Sequence, residues 1–126
     1  MTPTDSQIRG PGADTPAAEA TTLLDVWRQS RPTVQGDLGL IESAVIAAGA
    51  GRLEPELRAD ARRCIHKLGG LVAMLGFLGA SATACELERE IAGEAEPSLL
   101  SSLFASLRLR LAEETAHAFV PAEPAR

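Results

Sequence analysis

An all-α fold is what this sequence predicts, on three observations. Leucine and alanine dominate its 126 residues, and both favour helix. Apolar residues recur at three- and four-residue intervals in several separate stretches, and none alternates apolar with polar as a half-buried strand would. Prolines and glycines fall between those stretches, where helices start and stop. The expected architecture is an antiparallel four-helix bundle with an additional N-terminal capping helix, in one domain over residues 19–119.

Taken in order, residues 1–18 hold Pro3, Gly10, Pro11, Gly12 and Pro16 among small polar residues, a composition that predicts a disordered N-terminal tail. A first helix is expected over 19–30, with Leu23, Leu24 and Trp27 on one face and Trp27 as the anchor of the cap. Arg31-Pro32 should end it, because a residue before proline avoids the helical region. Asp37 is the expected N-cap of a second helix carrying Leu38, Ile41, Val45 and Ala48, closed by Gly49 and Gly51.

The third helix should open at Glu54-Pro55 and run to about Leu75, with Gly76 as its C-terminal glycine. Leu57, Ala61, Cys64, Ile65, Leu68, Val72 and Leu75 form its inner stripe. The fourth covers about 80–92, with Thr83 and Glu86 as a capping box, Ala84, Leu87 and Ile91 facing inward, and Gly93 at its end. Pro97 opens the fifth, whose stripe is Leu100, Leu103, Leu107 and Leu111 joined by Phe104. Residues 120–126 are expected to form a short C-terminal tail.

Composition excludes several classes of function. A net charge of −5 lacks the broad basic surface that nucleic acid needs. No apolar run approaches the ~18 residues of a membrane span, and the N-terminus lacks a signal peptide's basic start and hydrophobic run. Cys64 and Cys85 make no C-x-x-C motif, and a reducing cytoplasm suits them as small buried packing residues. Cys64 on the inner stripe and His66 pointing away from it argue against a metal site. His117 reads as a cation at a helix end. No phosphate-binding loop or glycine-rich kinase loop is present, and a nucleophilic hydrolase lacks a base and an orienting group.

The informative stretch is Cys64 to Gly79. His66 falls opposite the centre of the inner stripe, so its ring should face solvent. Arg62 and Arg63 precede it by one turn, Lys67 follows it, and Arg58 lies a further turn back. Gly69 and Gly70 come one turn later and Ala73 two turns later. Each glycine inside a helix costs ~1 kcal/mol against alanine, and close approach by another protein would explain that cost. The stripe runs on through Leu71, Val72 and Leu75, so the glycines should not end the helix. Asp60 is the nearest acid and reads as a solvated surface residue.

At these residues the sequence resembles the histidine-containing phosphotransfer (HPt) family, whose motif is commonly H-x-L-K-G followed by L-G. Here it reads His66-Lys67-Leu68-Gly69-Gly70, then Leu75-Gly76, and Ala84-Cys85-Glu86-Leu87-Glu88 is similar to the Leu/Glu-rich segment of the family's next helix. The likeness covers about residues 35–118. It implies a two-component phosphorelay carrier with His66 as phosphoacceptor, attacking through Nε2, Leu68 in the core and Gly70 leaving room for a receiver domain.

The pattern departs at Gly69, where many members carry a lysine. Lys67, Arg62 and Arg63 are therefore the expected phosphate-assisting cations, and Arg62, Gly69, Gly70 and Ala73 the expected docking surface. The implied partners are response-regulator receiver domains or a hybrid histidine kinase, without nucleic acid or membrane, and the chain should be a monomer. No cofactor of its own is expected, Mg²⁺ coming with the receiver, and no autonomous kinase activity. The alternatives are an HPt-like interaction module that is never phosphorylated and an unrelated helical adaptor.

Overall fold

A computed structural model describes the backbone of residues 16–119 and the side chains from residue 22. The described residues are all-helical, with four helices and no strand: α1 (Pro16–Gly49), α2 (Pro55–Met74), α3 (Leu78–Ala92) and α4 (Pro97–Ala118). None of these helices is long and apolar enough to cross a membrane. The tails expected at both ends fall largely outside the described residues; where they overlap, residues 16–18 are already helical.

Two compact units meet at the Arg31–Pro32 bond, Met1–Arg31 and Pro32–Arg126. In the first, the described part is helical and Trp27 is buried. The second holds the rest of α1 and the other three helices.

The expected break at Pro32 does not occur, and this changes the helix count from five to four. Pro32 lies inside α1. A proline there forgoes one backbone hydrogen bond and costs about 3 kcal/mol, and the apolar spacing of the sequence is nonetheless helical on both sides of it. Trp27, Val34, Ile41 and Ala48 follow at steps of seven, in phase across the proline, with Ala44 and Val45 buried between them. Asp37 is consequently a mid-helix residue and not an N-cap. It is itself buried.

Helices α1 and α2 both end in Schellman turns. Gly51 (φ +71°) and Gly76 (φ +83°) take the left-handed position. Arg52 N–H then reaches Ala47 O at 2.8 Å, and Phe77 N–H reaches Val72 O at 2.8 Å. Gly69 and Gly70 stay inside α2, as the stripe required.

Helix α3 begins without a side-chain cap of its own. The Glu114 carboxylate of α4 serves instead, accepting from Gly79 N–H at 2.9 Å and Ala80 N–H at 3.0 Å. That external cap overturns the expected Thr83–Glu86 capping box. Thr83 lies inside the helix, buried, and donates to Gly79 O at 2.9 Å. Phe77 meets Phe119 edge-on at 5.9 Å between centroids. At the other end of α3, Arg58 donates to Ile91 O (2.6 Å) and Gly93 O (2.8 Å). Helix α3 packs against both α2 and α4, and Ile65, Leu68, Val72, Leu87, Ile91 and Leu107 are its largest fully buried neighbours and members, with Ile41 of α1 equally buried.

Candidate functional site

The site lies within the second unit, midway along α2. Ala61, Ile65, Leu68 and Val72 are buried on one side of that helix. His66 therefore emerges on the other, its side chain 80% exposed. The buried stripe fixes the rotation of the helix, so the exposure of His66 follows from the apolar residues around it.

The ring is held. Its Nδ1 lies 3.2 Å from Oε1 of Glu88, a half-buried residue of α3. A carboxylate only accepts, so the hydrogen bond requires the proton on Nδ1. In the neutral ring that leaves the lone pair on Nε2. Glu88 is a neighbour of His66 that local sequence spacing does not mark. It lies 22 residues away on another helix, and no local pattern marks such a contact. Asp60, expected to be the nearest acid, instead pairs with Arg63.

The expected cations have different partners. Arg63 contacts the Asp60 carboxylate. Lys67 Nζ lies 3.5 Å from Oδ2 of Asp37, whose side chain is only 12% exposed. Arg58 is committed to the carbonyls at the end of α3. Arg62 is exposed and forms no ion pair among the described residues. Arg62, His66 and Glu88 line one open depression, together with Asp60, Arg63 and Lys67.

The two glycines also separate. Gly70 is exposed, and a Cβ there would meet nothing within 4 Å. Gly69 is half-buried and turned toward α3, where a Cβ would sit 3.5 Å from that of Ala84. Gly69 thus belongs to the α2–α3 contact, while Arg62, Gly70 and Ala73 share the exposed face with His66. Met74 extends that face and is also exposed.

Neither cysteine is the buried packing residue expected. Cys85 is exposed and Cys64 half-buried. Burial raises the Cys64 thiol pKa, aided by a hydrogen bond to Asp37 and that residue's charge, while Lys67 opposes the shift. Helical spacing puts Cys64 on the inner stripe, yet its thiol meets the polar Asp37 rather than an apolar residue. Among the described residues, no cluster of three or more His, Cys, Asp or Glu could hold a metal ion. His117 lies in the last turn of α4, exposed.

Comparison with family models, curated proteins and solved structures finds no match to this chain.

Proposed function

We propose that this chain is a phosphocarrier of the histidine phosphotransfer type, accepting a phosphoryl group on His66 from a receiver-domain aspartate and passing it to a second receiver. The observation that carries the reading is the exposed imidazole whose Nδ1 is bound by Glu88. A nucleophilic nitrogen needs a free lone pair, and this arrangement supplies one at Nε2 in an open position.

The step is an in-line displacement. The Nε2–P bond forms as the P–O bond of the receiver's acyl phosphate breaks, and the aspartate leaves as a carboxylate. The ring keeps its Nδ1 proton and gains positive charge, which the Glu88 carboxylate stabilises as it develops. No proton has to leave Nε2. The divalent cation used in such transfers comes with the receiver.

The surroundings support docking at this face. Gly70 matters through direction as well as size. Side chains on a helix lean toward its N-terminus, so a side chain at position 70 would lie over His66. Ala73 and Met74 continue a face of low relief on which a partner's backbone can come close. The chain belongs in the cytoplasm on this reading, as a monomer, with α1–α4 as an antiparallel four-helix bundle. The contacts of Arg58 with the end of α3, and of Glu114 with its start, support that arrangement.

The test is incubation with a phosphorylated receiver domain. An adduct that is labile in acid and stable in base should form on the wild-type chain and be absent from His66→Gln. Binding that survives the substitution, with no adduct on either chain, would replace the carrier with a pure interaction module.

A further inference from the structure

We infer that Arg62, in preference to Lys67 and Arg63, is the cation that binds the phosphoryl oxygens on His66, holding the group from the N-terminal side of the histidine. The inference rests on the phosphocarrier reading and adds the identity of the anion-binding residue.

Charge sets the need. A phosphoryl dianion on Nε2 would stand close to the Glu88 carboxylate, which is 3.2 Å from the same ring, and in one depression with Asp60. Like charges brought into one depression oppose one another, and a cation offsets them.

Direction selects its place. The His66 ring leans toward the helix N-terminus, over the turn that carries Arg62 and Arg63. A cation one turn later would have to extend from position 69 or 70, and both are glycine. Gly69 moreover is turned toward Ala84 of α3.

Availability selects the residue. Lys67 is held by Asp37 and Arg63 by Asp60. Moving either to the phosphate strands a carboxylate, and Asp37 is buried, where an unpaired charge is costly. Arg62 has no such commitment among the described residues and lines the same depression as His66. Its planar guanidinium presents paired N–H donors in a fixed fork that matches two phosphoryl oxygens side by side.

Labelling with phosphoramidate tests this on the whole chain without a protein partner. Nε2 attacks phosphorus, the P–N bond of the reagent breaks, and ammonia departs with that electron pair. The rate of phosphohistidine formation at His66 is followed by ³¹P NMR and mass spectrometry for wild type and for Arg62→Gln, Arg62→Lys, Lys67→Gln and Arg63→Gln. Circular dichroism checks that each variant is folded.

The expected result is a rate about tenfold lower for Arg62→Gln, a larger fall than for Lys67→Gln or Arg63→Gln, partly recovered in Arg62→Lys. Labelling of Arg62→Gln at the wild-type rate overturns the assignment. So does an equal or larger fall for Lys67→Gln or Arg63→Gln. If wild type is not labelled at His66, both this inference and the phosphocarrier reading fall. If phosphoramidate labels it and a phosphorylated receiver does not, only the relay reading falls, and the variant series still decides for or against Arg62.

Discussion

At the scale of single residues, the account turns on which nitrogen of His66 is free. Glu88 decides that by binding the other one. Glu88→Ala should therefore slow phosphorylation of His66 about tenfold, the value of one charge-assisted hydrogen bond, while leaving the helix content unchanged. A wild-type rate in that variant would show that the ring needs no orienting partner. The cysteines give a second residue-scale check. Burial and Asp37 raise the Cys64 pKa, which makes its thiolate scarce at mildly alkaline pH, and Cys64 is half-buried where Cys85 is exposed. A thiol reagent should label Cys85 first, with Cys64 catching up only as pH rises. The linked stability has the matching sign. A raised thiol pKa in the fold favours the folded state at neutral pH, and that contribution is lost as pH climbs through the folded value. Equal labelling rates across pH would contradict the placement of Cys64 beside Asp37. His66 itself was legible in the sequence because helical spacing sets it opposite a strong apolar stripe. Glu88 and the Asp37–Lys67 pair were not, because each joins residues on different helices and leaves no trace in local spacing.

At the scale of elements, one contact and one proline account for the departures from local sequence patterns. Glu114 caps α3 from another helix, so the start of α3 lies five residues before the threonine that imitates a local cap. Glu114→Ala should cost about 1–2 kcal/mol, read as a lower denaturation midpoint. An unchanged midpoint would remove Glu114 as the cap. Pro32 is the second case. A rule that treats the residue before proline as a helix end is sound locally, yet the stripe of Trp27, Val34, Ile41 and Ala48 continues in phase through it. That phase was readable from the sequence. If α1 is continuous, Pro32→Ala recovers about 3 kcal/mol of lost helix stability less about 1 kcal/mol of added freedom in the unfolded chain. The net gain of about 2 kcal/mol should appear as a higher midpoint, with the helix content by circular dichroism unchanged because α1 already runs through Pro32. A lower midpoint would restore the break at Pro32.

For the whole molecule, a net charge of −5 coexists with a basic turn at Arg62, Arg63 and Lys67 on the face proposed for docking. Local charge steers an acidic partner cleft even on an acidic protein, and salt weakens the effect. Transfer from a receiver should therefore slow as ionic strength rises. Gly70→Arg tests the shape of the same face. The new side chain would lean over His66 from a position that nothing else occupies, so the fold should survive while transfer slows at least about tenfold. Transfer at the wild-type rate would mean that partners approach from another side. The amphipathic pattern made the all-helical class plain, since it repeats within every helix. The reach of one helix to another across α3 was hidden, because it depends on how whole elements meet.

The most direct measurement is ³¹P and ¹⁵N NMR of the chain after exposure to a phosphorylated receiver domain. The account predicts one phosphorus resonance, bonded to Nε2 of His66, with the proton retained on Nδ1. Phosphorus on Nδ1, on His117 or on no residue at all would contradict it.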